Sequence, residues 1–276
     1  MSKNYDIIFL GLAKNVVKTI NSFFSSLEQI SEKNLKVCLI IGENDSSDGS
    51  SNYLKNYNND KFDYKYLNTS FLTKYKNRII RLGYGRQYLK DYIIDNELRS
   101  EFVIVVDLDE VIIKGLDVDQ LLNNFKKLSD NKEHLFGISS KSYPYYYDLL
   151  PLIIKDYYEI DVYKVQTRLS LKAFIERRKY IYEFQKKITK MRDVDTTSSH
   201  NGLTIYLHDD YLLGNYFVNE KNIRSEHINF NSEIFRKTGK QIRMTNSLIV
   251  NTPLEHMPLS FKEFFVQKIM KFLKFN

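Results

Sequence analysis

The feature that most constrains this chain is the alternation of apolar, strand-like segments with helical patterns over its first half. Apolar residues recur at helical spacing over residues 14–30, and helices are also expected near 50–57 and over 86–98. This alternation predicts an α/β fold in which a mostly parallel sheet is flanked by helices. The four predicted strands are YDIIFLGL (5–12), LKVCLIIG (35–42), KFDYKYLN (61–68) and EFVIVVDLD (101–109).

The second half of the chain is less regular. An aromatic, loop-like stretch starts near residue 142, and residues 160–200 are polar and allow no assignment. Further strands are expected at 201–207 and 247–251. Because no internal repeat or low-complexity linker divides the sequence, we predict one continuous domain over residues 1–258.

The composition favours anionic partners. The formal net charge is +7, which suits nucleotides, phosphorylated substrates or an anionic membrane face. The positive residues are spread along the chain and form no recognisable nucleic-acid module, so we expect no nucleic-acid partner and rank a non-catalytic binding protein below an enzyme. The single cysteine, Cys38, excludes an intrachain disulfide, and no uncharged apolar run reaches the ~18 residues of a spanning helix. We expect a cytoplasmic protein, or one bound peripherally at the inner face of the cytoplasmic membrane.

Two polar segments follow buried strands, ENDSSDGS (43–50) and DLDE (107–110). In parallel α/β sheets ligands bind beyond the carboxyl ends of the strands, so both segments are candidate ligand contacts. Asp107 and Asp109 are two residues apart and project to the same side of an extended backbone. A hard divalent cation held by such carboxylates could neutralise a departing diphosphate. The alternative is that Asp107 is itself a nucleophile that attacks phosphorus.

The nucleophile alternative rests on a resemblance to the haloacid dehalogenase superfamily of phosphatases. VVDLDEVI (105–112) fits its first motif, LFGISS (135–140) its strand ending in serine, Lys141 its lysine and YLHDD (206–210) its acidic pair. In that superfamily the nucleophile strand opens the domain, whereas here a long α/β pattern precedes it. The resemblance implies a phosphatase with Asp107 as nucleophile.

The first half of the chain also resembles the nucleotide-sugar-binding half of GT-A glycosyltransferases. GENDSSDGS (42–50) is similar to the V-D-D-G-S-T-D-G-T turn of the large family 2, with Glu43 and Asn44 where two aspartates usually stand and Asp48 at the later one. RLGYGRQYLKDYI (81–93) is similar to the helix start before the metal strand, and DLD then falls where the DXD motif belongs. The order and spacing of the three elements together make this resemblance specific.

The second half resembles bacterial relatives of the capsule-associated α-1,3-mannosyltransferases of family 69. The matching segments are YYYDLLPLI (145–153), NGLTIY (201–206) and SEHINFN (225–231). Ser225 replaces the usual cysteine, Asn201 replaces a glycine, and Pro151-Leu152 replaces an Ala-Leu-Arg sequence whose arginine binds phosphate. The resemblance implies a Rossmann-like GT-A domain in which residues 1–110 bind the nucleotide and an irregular part, 111–258, binds the acceptor.

This resemblance implies a metal-dependent glycosyltransferase that moves a hexose from a UDP- or GDP-sugar to a glycan or lipid-linked acceptor, in surface polysaccharide or lipopolysaccharide synthesis. The implied nucleotide contacts are Glu43, Asn44, Asp48, Arg81, Arg86 and Asp107, with Arg78 as a further candidate for the diphosphate. For Asp48 a helix cap is an equal alternative.

The same resemblance implies the remaining site residues. The ligands of Mn²⁺ or Mg²⁺ would be Asp107, Asp109 and His256, with His227 as an alternate for the histidine. Tyr146, Tyr147 and Asp148 would bind the acceptor, and Glu226 would be the catalytic acid on the acceptor side. Family 2 enzymes are inverting and family 69 enzymes retaining, so both stereochemical outcomes stay open.

The C-terminal segment, residues 259–276, predicts a basic amphipathic helix. Its four lysines stand against one glutamate, and its phenylalanines fall mostly on one helical side. Such a helix suits the surface of an anionic membrane and is too short and too charged to span it. Packing on the protein's own core or on a dimer partner is the equal alternative.

Overall fold

A computed structural model of this chain describes residues 4–154, 171–217 and 224–258. The strands in these parts are β1 (Ile7–Ala13), β2 (Val37–Glu43), β3 (Asp63–Asn68), β4 (Phe102–Asp107), β5 (Leu135–Tyr143), β6 (Val194–Thr196), β7 (Leu203–Leu207) and β8 (Gln241–Asn251). The α-helices are α1 (Ile20–Ser31), α2 (Ser50–Asn56), α3 (Arg78–Asp95), α4 (Val118–Asp130), α5 (Leu171–Glu176), α6 (Glu183–Lys190), α7 (His208–Leu213) and α8 (Glu226–Thr238). Short 3₁₀ turns lie at Ser70–Lys74, Glu110–Ile112 and Leu254–His256, and a π-helical turn at Arg177–Tyr182 joins α5 to α6.

The strands form one mixed sheet in the order β3-β2-β1-β4-β7-β5-β8-β6. β1 to β4 pair in parallel, and β5 pairs in parallel with β8. β7 runs antiparallel between β4 and β5, and β6 runs antiparallel at the edge. The carboxyl ends of β1, β2, β4, β5 and β8 therefore meet the amino end of β7 at one edge of the sheet.

Helices cover both faces of this sheet because its strands are apolar on both sides. In β1, Ile7 and Phe9 pack in one core cluster, together with residues of α1 and α4. Ile8 and Leu10 pack in the other, with residues of α3, α7 and α8. Strands buried on both faces read as continuous apolar runs, which is why they stand out in the sequence.

The predicted α/β class with a mostly parallel sheet is confirmed, and the first four strands lie where the apolar runs place them. α3 begins at Arg78 rather than near residue 86, because the side chain of Asn77 caps it by accepting hydrogen bonds from two backbone N–H groups. Glycine at position 85 weakens the helical pattern of the first two turns of α3, so the sequence predicts a helix that starts too late. A Cβ at this position would lie 2.8 Å from Cδ1 of Leu12, in the neighbouring strand β1. In this helix glycine permits close packing rather than marking a break.

Several elements of the second half differ from the prediction. β8 begins at Gln241 rather than at residue 247, and α4 and α8 were not predicted. The segment over 160–200, left without assignment, contains α5 and α6. None of the helices in the described parts of the chain is long and apolar enough to cross a membrane. The predicted helix at 259–276 lies outside the described residues.

Candidate active site

A cavity of about 280 Å³ opens at the sheet edge where the carboxyl ends of the strands meet. Its walls come from both halves of the sequence, from the end of β1 to the 3₁₀ turn that follows β8. The charged and imidazole side chains that line it are Lys14, Arg78, Arg81, Arg86, Asp107, Asp109, Asp148, His200, Arg224, Glu226, His227, Glu255 and His256. The cavity is thus rich in both signs of charge, which is unusual for space enclosed by a protein.

Arg86 is the buried centre of this site. Its Nη2 lies 2.7 Å from Oδ1 of Asp107, and its Nε lies 3.0 Å from Oε1 of Glu226. One guanidinium therefore ties the end of β4 to the first residue of α8, where Ser225 caps the helix by accepting from the backbone N–H of His227. The three residues were predicted as site residues from separate motifs, and the structure brings them into one hydrogen-bonded group.

Asp107 is engaged through both carboxylate oxygens. Besides the Arg86 contact, its Oδ2 accepts a hydrogen bond from the Tyr147 hydroxyl at 3.3 Å and lies 3.5 Å from Nε2 of His200. Burial acts to raise the pKa of Asp107, but the His200 and Arg86 groups hold that pKa well below its ordinary value. Asp107 is therefore a fixed anion that organises its neighbours.

Asp109 lies at the mouth of the cavity, and its side chain is accessible to solvent. One oxygen accepts from the backbone N–H of Val111 at 3.0 Å, which starts the 3₁₀ turn after β4. The surrounding protein and then the charge of Asp107 raise the pKa of Asp109 to about 6. The raised pKa of Asp109 reports a carboxyl group that is partly removed from water and lies near a second anion.

Asp148 and His256 lie on the other side of Asp107. Burial, followed by the charges of Asp107 and Glu226, raises the pKa of Asp148 to about 7. The His256 ring packs on the Tyr147 ring with centroids 4.9 Å apart. Burial would lower the pKa of His256, but its hydrogen bond to Glu255 and the surrounding carboxylates raise it. Within the described parts of the chain, no three His, Cys, Asp or Glu side chains are arranged to hold a metal ion by themselves.

The ENDSSDGS turn reaches the cavity through one residue. Asn44 lines the cavity, and its buried Oδ1 has no hydrogen-bond partner. Glu43 is buried and accepts from the backbone N–H of Ser46 and the hydroxyl of Ser51. Asp48 accepts from Ser50 and from the backbone N–H of Val17. Both carboxylates hold the turn in shape and neither lines the cavity, and the predicted direct nucleotide contacts of Glu43 and Asp48 stay predictions.

Tyr146, predicted to bind the acceptor, does not line the cavity. Its ring is fully buried, and its hydroxyl meets Ser199 at 3.2 Å. Tyr147 and Asp148 do line the cavity, so only these two of the three predicted acceptor residues are available to a ligand. The sequence alone does not say which of these neighbouring side chains faces the cavity.

Five charged or imidazole cavity residues were not predicted as site residues from the sequence: Lys14, His200, Arg224, Glu255 and, apart from its role as an alternate metal ligand, His227. Lys14 directly follows β1, and the rule that ligands bind beyond strand ends could have found it. His200 and His227 stack with ring centroids 3.8 Å apart. Neither ring nitrogen of the buried His227 has a hydrogen-bond partner. Burial, followed by the neighbouring His200 and Arg86, lowers the pKa of His227 well below its ordinary value.

The residues required by the phosphatase alternative do not come together. Lys141 is buried in β5 and donates to the backbone oxygens of Met191 and Arg192 and to Asn246. Asp209 and Asp210 follow β7, and the end of this strand pairs with Phe102 at the start of β4. They lie at the opposite end of β4 from Asp107, so the acidic pair of that motif is misplaced.

Solved structures of similar fold place this architecture among known proteins. S. aureus TarS 1–349 in complex with UDP matches with a TM-score of 0.51 at 11% identity, covering 89% of this chain and 59% of that chain. The same protein in complex with UDP-GlcNAc matches with a TM-score of 0.50 at 12% identity, covering 93% of this chain and 61% of that chain. This chain has a GT-A fold. At such low identity the likeness concerns the fold alone, and the chain spans about 60% of the length of the GT-A structures it matches.

The sequence comparisons add nothing to this assignment. No protein-family model matches the chain, and no curated protein sequence matches it either. The resemblance to the family 69 mannosyltransferases therefore stays a prediction. Within the GT-A fold, the strand that ends in Asp107-Leu108-Asp109 is β4, which is central in the sheet and borders the cavity.

Proposed function

We propose that this protein is a metal-dependent glycosyltransferase that moves a hexose from a UDP- or GDP-sugar to a glycan or lipid-linked acceptor. The observation that supports this is the charge arrangement of the cavity in a GT-A fold. Asp107 and Asp109 end the central strand, while Lys14, Arg78 and Arg81 line the same cavity. A site that binds a metal-complexed diphosphate needs carboxylates to hold the cation and basic side chains to hold the phosphates.

The donor nucleotide would occupy the side of the cavity formed by β1, β2 and α3. Asn44 offers a buried carbonyl oxygen without a partner, which suits a base N–H or a ribose hydroxyl. Arg78 and Arg81 open α3 and would contact the diphosphate together with Lys14. TarS has been crystallised with UDP and with UDP-GlcNAc, which supports a nucleotide-sugar donor for a cavity in this fold.

The residues present fit a divalent cation in chemistry and charge. Asp109 lines the cavity with an exposed carboxyl group, and Asp107 and His256 lie close enough to influence its pKa. We propose that Asp109 and His256 hold Mn²⁺ or Mg²⁺ and that Asp107, already bound to Arg86, supports the site from beside it. The diphosphate and water would complete the coordination, as is usual for these ions. When bound, the ion would stabilise the negative charge of the leaving diphosphate.

The acceptor would enter beside Tyr147 and Asp148. Glu226, predicted as the acceptor-side acid, accepts a hydrogen bond from Nε of Arg86 at 3.0 Å, which fixes its orientation. In that orientation Glu226 is suited to accept a hydrogen bond from an acceptor hydroxyl. Asp148, with its raised pKa, is better suited to take up the proton that this hydroxyl loses.

The cellular setting follows from the substrates rather than from the fold. Nucleotide sugars are made in the cytoplasm, and lipid-linked acceptors present their sugars at a membrane surface. We propose a cytoplasmic enzyme that acts at the inner face of the cytoplasmic membrane in surface polysaccharide or lipopolysaccharide synthesis.

A thermal-shift panel tests the proposed function. UDP, GDP, CMP and their sugars would be added with and without Mn²⁺, since a ligand that binds the folded state raises the melting temperature by mass action. We expect one nucleoside diphosphate to stabilise the protein, and to do so more strongly with Mn²⁺. Asp109→Asn should abolish the metal-dependent increment, whereas the matched control Asp119→Asn, on the exposed first turn of α4, should keep it. An increment that survives Asp109→Asn would exclude the metal assignment, and no response to any nucleotide would exclude the donor class.

A further inference from the structure

Five aromatic rings form an exposed cluster outside the cavity, on the 3₁₀ turn after β3, the outer side of α3 and the segment after α7. We call this the aromatic platform, and its residues are Phe71, Tyr75, Tyr84, Tyr88 and Phe217. Phe71, Tyr84, Tyr88 and Phe217 are between 38% and 50% exposed. Large apolar side chains gathered in one exposed place are unusual on a protein surface and commonly mark a binding region.

The rings support one another in fixed positions. Tyr75 and Tyr84 stack face to face with centroids 4.2 Å apart and planes within 5° of parallel. Phe217 meets Tyr84 edge to face at 5.3 Å, and Phe71 meets Tyr88 in the same way at 5.2 Å. Because Tyr84 and Tyr88 stand on a regular helix, the platform presents a preorganised surface that loses little conformational entropy when it binds.

The surface around these rings is basic. Between Asp63 and Asp91 the sequence contains no acidic residue, while it contains five lysines and arginines that are not buried, Lys65, Lys74, Lys76, Arg78 and Arg81. Lys74 lies over the platform, with its Nζ 5.8 Å from the Phe71 ring centre and 5.0 Å from that of Tyr75. A ligand that uses this surface would therefore combine apolar faces with negative charge.

The platform is continuous with the cavity. Leu72 follows Phe71 in the 3₁₀ turn and lines the cavity, and Arg81 lines it one helical turn before Tyr84. None of the five platform residues belongs to the cavity lining. Because residues three apart on a helix are neighbours on its surface, Arg81 places the cavity beside the Tyr84 end of the platform, and a chain molecule whose end occupies the cavity can reach these rings.

We propose that the aromatic platform binds an anionic glycan, namely the portion of the acceptor that lies outside the cavity; this inference rests on the proposed function. The apolar C–H faces of pyranose rings pack on aromatic rings, and carboxylate or phosphate groups of the glycan pair with Lys74 and Lys76. The combination selects a charged polysaccharide over a neutral one and over a simple polyanion.

Native affinity electrophoresis tests this with polymers embedded in the gel. Polygalacturonate supplies sugar rings with carboxylates, dextran supplies sugar rings alone, and polyglutamate supplies carboxylates alone. We expect polygalacturonate to retard the protein most. Tyr84→Ala and Phe217→Ala should each weaken that retardation by roughly five- to tenfold, the size of an aromatic contact, while the exposed control Tyr180→Ala on the π-helical turn should not change it.

Three outcomes would overturn the proposal. If polyglutamate retards the protein as much as polygalacturonate does, binding depends on charge alone. If polygalacturonate retards both platform variants as much as the parent protein, the glycan binds elsewhere. Loss of binding to phosphatidylglycerol vesicles or to oligothymidylate in the platform variants, with polygalacturonate binding retained, would assign the surface to a membrane or to nucleic acid. The nucleotide-dependent thermal shift of the same variants should equal that of the parent protein, so failure of the donor assignment is read out separately.

Discussion

At the scale of single residues, the site depends on one buried cation, Arg86, shared by the buried Glu226 and the partly buried Asp107. Arg86 is 6% exposed and Glu226 is 4% exposed, so neither charge is well solvated. Breaking such a group by removing the cation leaves two uncompensated carboxylates, which is far more costly than the net stabilisation that the pairs provide. The geometry thus makes Arg86 a positioning residue for both Asp107 and Glu226.

We predict that Arg86→Leu lowers the free energy of unfolding by about 3–5 kcal/mol. Urea denaturation measures this, and adding Glu226→Gln to the same chain should recover part of the loss because it removes one of the two stranded anions. The control is Arg99→Leu, since Arg99 is exposed and its nearest carboxylate oxygen, on Asp209, is 3.8 Å away. Its loss should cost no more than about 1 kcal/mol. Similar costs for both arginine variants would contradict a buried, shared cation.

A second residue-scale prediction concerns Asp148 and pH. Its pKa is about 7 in the folded protein against an ordinary value of 3.8, so the folded state keeps a proton that the unfolded state releases between these pH values. The contribution of Asp148 to stability is therefore full below about pH 4 and is lost as the pH rises through about 7. Asp148→Asn removes that loss.

We expect the stability difference between Asp148→Asn and the parent protein to grow from pH 5 to pH 7 and then level off, in favour of the variant. With solvent access to the cavity taken into account, the gain at pH 8 should be about 1–3 kcal/mol. Urea titrations at pH 5, 6, 7 and 8, with a chelator and without nucleotide, measure it. Asp119→Asn should show no such trend, and a pH-independent difference for Asp148→Asn would exclude the raised pKa.

At the scale of elements, α3 joins the side of the cavity proposed to bind the nucleotide to the side proposed to bind the acceptor. Its first turn carries Arg78 and Arg81, and a later turn carries Arg86. Gly85 lets the helix approach β1, since a Cβ there would lie 2.8 Å from Cδ1 of Leu12 and 3.0 Å from Cδ1 of Leu72. The glycine therefore sets the depth at which the guanidinium of Arg86 enters the sheet edge.

We predict that Gly85→Ala destabilises the protein by about 1–3 kcal/mol, although alanine is the better helix former. The overpacking at Leu12 and Leu72 should exceed the gain in helix propensity. Ser25→Ala on the exposed side of α1 is the control, and its effect should stay within about 0.5 kcal/mol. Chemical denaturation of both variants tests this, and a stabilised Gly85→Ala protein would show that α3 can shift away from the sheet.

At the scale of the whole molecule, the chain carries a net charge of +7, and residues 259–276 contribute four lysines against one glutamate. This segment lies outside the described residues, so its amphipathic character is a property of the sequence. A basic segment with phenylalanines on one side would attach the protein to an anionic membrane surface, where the proposed lipid-linked acceptor would lie.

We therefore expect the full chain to co-sediment with phosphatidylglycerol liposomes, and less so at high salt because screening weakens the lysine contribution. A chain that ends at Pro258 should stay folded, judged by its urea transition, and should no longer co-sediment. If that truncation unfolds the protein or separates a dimer instead, the segment packs on protein and membrane attachment through it is excluded.

The elements that the sequence predicts well are those in which one property dominates. β1, β2 and β4 are buried on both faces, so they read as unbroken apolar runs, and the acidic groups after β4 stand out at their end. The helices α3 and α8 are harder to predict from the sequence because each buries polar side chains. These are Arg86, Gln87 and Lys90 in α3 and Glu226, His227 and Asn231 in α8. A helix that turns charged groups inward does not show the apolar stripe on which periodicity depends.

The sequence by itself determined the α/β class, the strand that ends in Asp107-Leu108-Asp109 and the candidacy of Arg86, Asp107 and Glu226, because these follow from local composition and order. Only the tertiary structure decided that these three form one group, that Glu43 and Asp48 serve the turn, and that Tyr146 belongs to the core while Asp148 faces the cavity. The physical reason is that the charge state and accessibility of a side chain depend on neighbours far away in the chain. Arg86 and Glu226 are 140 residues apart in sequence, yet Nε of Arg86 lies 3.0 Å from Oε1 of Glu226.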